Sequence, residues 1–190
     1  MAAAQFAGSS LASSASPRAA SSRRNFLFGR TRAVEPALRP PWALEEDDFV
    51  ARCTRCERCI EACPTTILVR MDGGFPGVDF SRGECSFCGD CVAACEPRAL
   101  WREDASAAPW DRVAVIGAAC LAARGVECRV CGEACDVSAI RFRPRIGGVP
   151  LPEVDNTACN GCGACIAPCP VSAVQRIAGV GGVTPNPELP

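Results

Sequence analysis

Sixteen cysteines in 190 residues constrain what this chain can become more than any hydrophobic pattern does. Three groups repeat the spacing C-x-x-C-x-x-C-x-x-x-C: Cys53, Cys56, Cys59 and Cys63; Cys85, Cys88, Cys91 and Cys95; and Cys159, Cys162, Cys165 and Cys169. The remaining group, Cys120, Cys128, Cys131 and Cys135, stretches only its first gap. Three thiols set two residues apart can wrap one inorganic cube within a tight loop. The fourth, three residues on, is expected where a helix begins. This is the spacing by which thiolates hold 4Fe–4S clusters, and where two runs are paired the fourth thiolate of one ligates the cluster of the other. All sixteen cysteines are therefore candidate 4Fe–4S ligands. They predict four clusters, or three if the stretched third group does not hold one. On the crossed scheme Cys95 serves the first cluster, Cys63 the second, Cys169 the third and Cys135 the fourth; spacing does not decide between crossed and uncrossed ligation.

Two other readings use cysteines at such density. Structural zinc also takes four thiolates, but zinc ribbons bring together two separated C-x-x-C knuckles instead of compressing four ligands into one run. Disulfide scaffolds of secreted proteins do not usually repeat one tight spacing with this fidelity. A zinc-binding interaction module is the rival retained.

Composition points the same way. Aromatic residues make up 6% of the chain and Tyr is absent, so cysteines fill positions that a conventional core would use. A chain so poor in bulky side chains needs inorganic staples. Metal binding then supplies much of the folding free energy, and the apoprotein is expected to be largely unfolded. A formal net charge of −1 leaves no basic excess to neutralise phosphates, which argues against a nucleic-acid partner. His is absent, which excludes Rieske-type ligation and removes the usual ligand of catalytic zinc and the usual acid–base group. With Lys and Tyr also missing, the composition favours an electron carrier over an enzyme. No stretch approaches the ~18 consecutive apolar residues of a membrane-spanning helix.

Along the chain, residues 1–38 are rich in Ala and Ser with scattered Arg, and read as a disordered arm. Within it, Ser22-Arg23-Arg24-Asn25-Phe26-Leu27 matches the twin-arginine export pattern. The following residues, with Arg30, Arg32 and Glu35, do not form the apolar region that an export signal requires. A basic disordered arm is the simpler reading. Residues 39–50 begin Arg39-Pro40-Pro41-Trp42 and read as a stiff Pro-rich linker. Trp42 and Phe49 are expected to cover the first cluster loop, with Glu45, Glu46, Asp47 and Asp48 as a solvated face. The expected fold is α+β, with two ferredoxin-like modules over 51–112 and 113–178. Each carries two cluster loops, short helices and a small antiparallel hairpin. The hairpins turn at Asp72-Gly73-Gly74 and at Gly147-Gly148. Residues from Trp101 to Val115 read as the connection between modules, and 179–190 as a flexible tail.

The residues between the cysteines are small or apolar, among them Ile60, Gly89, Val92, Gly161, Gly163 and Ile166. Small residues let backbone N–H groups approach thiolates, and apolar ones screen a cluster from water. Pro64 and Pro170 follow the last cysteine of their groups, as the cluster-binding run prescribes. Pro97 is displaced by one residue, and Asp136 stands where Pro would follow in the third group. The stretched gap between Cys120 and Cys128 predicts a more exposed or more labile third cluster.

Residues outside the cysteines narrow the reading. Arg23-Arg24, Arg39-Pro40-Pro41-Trp42, Cys53-Thr54-Arg55-Cys56, Glu84-Cys85-Ser86-Phe87-Cys88, Phe142-Arg143-Pro144, Cys159-Asn160-Gly161-Cys162-Gly163-Ala164-Cys165 and Cys169-Pro170-Val171-Ser172-Ala173 together resemble the NapF family of ferredoxin-type proteins. The resemblance runs from about Arg23 to Ala173. It implies a cytoplasmic, non-enzymatic iron–sulfur protein with up to four 4Fe–4S clusters. The implied partner is the precursor form of the catalytic subunit of periplasmic nitrate reductase, whose maturation it would assist before export, by electron or cluster supply. An electron-transfer subunit between quinol oxidation and a reductase is the alternative role.

Overall fold

A computed structural model of the chain describes residues 38–104 and 107–178. Apart from Leu38, the N-terminal arm with its twin-arginine hexapeptide lies outside the described residues, as does the 179–190 tail.

Among the described residues helices are few and short. The longest, α1 (Glu46–Arg52), is followed by three single turns, α2 (Arg58–Glu61), α3 (Asp90–Ala93) and α4 (Val130–Glu133). Each single turn contains the third cysteine of its group, Cys59, Cys91 or Cys131, and the fourth cysteine follows it. This corrects the expectation that the fourth cysteine opens a helix. Such turns are too short to persist alone, because nucleation costs more than one hydrogen-bonded turn returns. They depend on what the cysteines hold.

Three two-stranded antiparallel sheets complete the fold of the described residues. β1 (Leu68–Arg70) pairs with β2 (Pro76–Val78) across the turn at 72–74, where Gly73 takes φ 77°. β4 (Ile140–Arg145) pairs with β5 (Gly148–Val154), with a register shift between Arg143 and Arg145. The irregularity falls on Pro144, which has no N–H to give the ladder. Both hairpins lie where the alternation of β-branched runs and Gly-rich turns placed them.

The third sheet was not expected. β3 (Arg112–Ile116) pairs with β6 (Val174–Ala178), from Arg112 opposite Ala178 to Ile116 opposite Val174. The last part of the presumed connection between modules is thus a strand closing the second half. A single bridge from Ala43 to Leu100 occupies the equivalent place in the first half.

Residues 39–50 likewise do not act as a linker. Pro40 and Phe49 are fully buried and Trp42 nearly so. The Trp42 backbone N–H donates to the Pro109 carbonyl at 2.9 Å and its indole N–H to the Ala107 carbonyl at 2.8 Å. Arg39 grips Glu46 through Nε at 2.9 Å and lies over the Phe49 ring. These bonds and the buried rings offset the ordering cost of the segment. The acidic residues 45–48 are exposed, as anticipated.

One core gathers Trp42, Phe49, Ile67, Leu68, Val78, Phe80 and Leu100; another gathers Ala114, Ile116, Ala122, Ile140, Ala173 and Val174. Cysteines are members of both cores, and Ile166 packs against both. Among the described residues no helix is long and apolar enough to cross a membrane.

Candidate metal centres

The backbone repeats around the cysteines as closely as the spacing does. Residues two and four after the first cysteine are left-handed in three groups: Arg55 and Glu57, Phe87 and Gly89, Gly161 and Gly163. This conformation turns the loop inward on itself, so that successive thiols face one interior. In the third group the corresponding Arg129 takes φ −125°. Three residues after each fourth cysteine comes another left-handed residue, namely Thr66, Arg98, Ser138 and Ser172. Each donates its N–H to the carbonyl of that cysteine, at 2.9–3.2 Å. Non-glycine residues in this region cost roughly 1–2 kcal/mol each. Such conformations persist only where the surrounding structure over-determines them.

The thiols converge in four sets, and every set combines two groups. Cys53, Cys56 and Cys59 line one cavity with Cys95; Cys85, Cys88 and Cys91 line a second with Cys63. Cys120, Cys128 and Cys131 line a third with Cys169; Cys159, Cys162 and Cys165 line a fourth with Cys135. In sequence order of their triplets, these cavities measure ≈ 350, 310, 340 and 360 Å³ and are partly open to solvent. All sixteen candidate residues are thus brought together, in the crossed arrangement.

The walls suit an anionic sulfur-ligated group. Backbone N–H groups donate to the crossing thiols: Leu100 to Cys95 Sγ at 3.4 Å, Ala139 to Cys135 Sγ at 3.3 Å and Ala173 to Cys169 Sγ at 3.2 Å. Cys63 is held below the ordinary thiol range. Burial alone would raise it, but the Thr65 hydroxyl and the amides of Leu68, Ile67 and Thr65 together outweigh that effect. Conversely, burial and neighbouring thiols push Cys91 and Cys165 up to about 12, and Cys59, Cys85 and Cys131 to about 11. Deep, mutually repelling thiols become thiolates only when a positive centre binds among them. A single zinc ion fits poorly. Its four sulfurs must all lie about 2.3 Å from one point, and among the described residues no three potential ligands converge on a single ion. Four thiols around one cavity, drawn from loops with the cluster-binding spacing, fit a multi-atom cluster.

The stretched third group departs from expectation. Cys120 is buried, not exposed. The extra residues fold as a 3₁₀ turn (Ala122–Arg124), closed by a Val126 N–H donating to the Leu121 carbonyl at 2.9 Å, with Gly125 at φ 81°. Ala122 is buried in the second core and Leu121 lines the third cavity, so the insertion packs against the third site. The exposed thiols are Cys56 and Cys88, in the first half.

Neighbouring sites touch. Cys59 and Cys91 are electrostatic neighbours across the first and second sites, as are Cys165 and Cys131 across the fourth and third. The Cys85 N–H donates to the Cys162 carbonyl at 2.9 Å, joining the second and fourth. The sites therefore run first, second, fourth, third. Beside this joint lies Arg176, which sequence reasoning missed; a lone Arg within a strand carries no signal. It lines the fourth cavity, and its guanidinium nitrogens are buried with no hydrogen-bond partner among the described residues. Orphaned donors aimed at a thiol-lined cavity are what a sulfur-rich anion would satisfy.

The comparisons agree with this chemistry. A family model described as a 4Fe-4S dicluster domain matches residues 39–100, and a second of the same description matches 125–173. The ferredoxin-type protein NapF of Escherichia coli (strain K12) is 48% identical over 153 residues, covering 80% of this chain and 92% of its own. NapF of Haemophilus influenzae is 49% identical over 162 residues, covering 80% and 91%. The methylamine utilization ferredoxin-type protein MauM of Methylorubrum extorquens is 34% identical over 191 residues, covering 85% and 83%. With two 4Fe–4S dicluster domains and this degree of identity, the chain is a ferredoxin-type iron–sulfur protein and belongs to the NapF family.

Proposed function

We propose that the protein holds four 4Fe–4S clusters through its sixteen cysteines and serves, without catalysing a reaction itself, as an electron-handling accessory protein. The ligand sets are Cys53, Cys56, Cys59 and Cys95; Cys63, Cys85, Cys88 and Cys91; Cys120, Cys128, Cys131 and Cys169; and Cys135, Cys159, Cys162 and Cys165. The observation that carries this reading is the convergence of four thiols on each of four cavities. Bound there, such clusters supply one-electron transfer at potentials set by their surroundings. The chain's residues hold the ligands, donate N–H groups to the crossing sulfurs and screen the sites with Phe49, Trp42, Ile116 and Ile140.

The partner is the precursor of the catalytic subunit of periplasmic nitrate reductase, met in the cytoplasm before export. Kinship with NapF proteins over most of the chain supports this choice. A broader electron-transfer role is favoured by the likeness to MauM proteins, which are named for methylamine utilization, and by the unbroken succession of sites. Anaerobic purification with iron and sulfide analysis tests the cluster assignment: a colourless protein holding zinc and no iron would refute it. Pull-down from nitrate-grown cells tests the partner. Recovery of the signal-bearing catalytic subunit is expected, whereas capture of membrane redox proteins alone would favour the broader role.

A further inference from the structure

We infer that Arg176 is the charge that sets the reduction potential of the fourth site, and with it electron passage across the joint between the two halves. This rests on the four-cluster reading above. Arg176 stands on β6, and its guanidinium lies 4.5 Å from the centres of both the Phe80 and Trp110 rings, in the corner where these rings meet edge to face with centres 6.0 Å apart. Both rings belong to the first half, so one side chain of the second half rests in an aromatic corner of the first. The ring faces hold the cation through their quadrupoles but offer no lone pairs to its five N–H donors. Nε, Nη1 and Nη2 are all buried without an acceptor among the described residues. A guanidinium that only glued the halves together would be expected to meet a carboxylate or a carbonyl. This one instead lines the cavity of Cys135, Cys159, Cys162 and Cys165.

The local geometry keeps it there. A Cβ on Gly161 would fall 3.0 Å from Nη2 and 2.6 Å from the Arg112 carbonyl oxygen, so only glycine lets the guanidinium and β3 lie this close to the cluster loop. The thiols that act on Arg176 are Cys159 and Cys162 from the fourth site and Cys85 from the second; Arg112 opposes them as a like charge. Of the two sites that meet at the joint, the fourth has Arg176 in its wall and the second does not. Burial pushes the Arg176 guanidinium down to about 10, which leaves it protonated at neutral pH.

Reduction of a cluster in the fourth site adds one electron and takes up no proton, so the site gains one negative charge. A fixed buried cation nearby favours that state, and the low local dielectric enlarges its effect. Arg176 thus raises the potential of the fourth site relative to one without the charge. An electron given to the second site by a one-electron reductant then has a favourable acceptor across the joint.

EPR-monitored redox titration of the full-length protein, reduced with dithionite, tests this, with the fourth-site signal identified by its loss in Cys162→Ala. Arg176→Gln and Arg176→Met are expected to move that signal to lower potential and leave the first-site signal in place. Arg176→Lys, which keeps the charge, stays near the parent value. Loss of the fourth cluster in both neutral variants, with retention in Arg176→Lys, reads as the same need for charge. An unchanged fourth-site potential in a loaded neutral variant overturns the inference, as does an equal shift or equal cluster loss in all three variants, which would mark Arg176 as packing alone. Absence of iron from the unsubstituted protein would instead overturn the cluster reading beneath it.

Discussion

The amide of Cys85 donates to the carbonyl of Cys162 at 2.9 Å, so a cluster loop of the first half and one of the second are joined by a main-chain hydrogen bond. Next to it, Gly163 lies under the Phe80 ring: a Cβ there would fall 2.1 Å from Phe80 Cδ1, and the residue takes φ +86°. Gly163→Ala must displace the ring and adopt a left-handed conformation that Ala resists. Overpacking costs about 1–3 kcal/mol, and the backbone adds roughly 1–2 kcal/mol. The variant is expected to lose its fourth cluster at lower temperature than the parent. Phe80→Ala in the same chain removes the clash and recovers part of the loss, a coupling a double-mutant cycle measures. Strict additivity of the two substitutions would count against this packing.

The crossed ligation separates two cysteines that spacing treats alike. Cys95 follows the second group but lines the first cavity, and Cys63 follows the first group but lines the second. Cys95→Ala is expected to abolish the signal of the first cluster, the one also lost in Cys56→Ala. Cys63→Ala is expected to abolish that of the second, lost in Cys88→Ala. Iron analysis should fall by about one cluster in each case. The reverse pairing of signals would refute crossed ligation.

The cysteines and the two Gly-turned hairpins were legible because each is a local pattern: a fixed spacing, or a β-branched run beside its turn. The pairing of Arg112–Ile116 with Val174–Ala178 is not local. Its strands are short, and the first follows Pro109-Trp110, which reads as a connection. Residues 39–50 misled for a related reason. Two prolines signal stiffness, and stiffness is equally compatible with a tether and with Pro40 fully buried beside Trp42. The stretched gap after Cys120 announced an inserted loop, but whether that loop opens the site or packs against it depended on Ala122 finding the second core.

Phe49 is fully buried, lines the first cavity and tilts against Phe75 with ring centres 6.1 Å apart. Phe49→Ala removes about 3–5 kcal/mol of packing and opens one wall of that site to water. The first cluster is then expected to be lost to an iron chelator sooner than the other three. Parallel loss of all four signals would mean that Phe49 supports the fold as a whole and not that site.

Acid dependence is set in part by two matched turns. The Asp79 carboxylate accepts from the Ser81 hydroxyl at 2.6 Å and the Ser81 N–H at 2.9 Å; the Asp155 carboxylate accepts from the Thr157 hydroxyl at 2.6 Å and the Thr157 N–H at 3.0 Å. Each turn leads into a cluster loop, at Cys85 and Cys159. The Ser81 bonds hold Asp79 below the usual carboxylate range, and the Thr157 bonds do the same for Asp155. A carboxylate with a depressed folded-state value stabilises the protein above the unfolded value, about 3.9, and loses that contribution as pH falls through the folded value. Asp79→Asn and Asp155→Asn are therefore expected to melt below the parent at neutral pH, by a gap that closes as the solution is acidified below about pH 4. Thermal bleaching of the cluster absorbance, compared between parent and variants across that range, provides the measurement. A gap that stays constant with pH would show that the loss lies in hydrogen-bond geometry and that the carboxylate's charge contributes nothing; no gap at any pH would show that the side-chain amide reproduces the carboxylate's bonds.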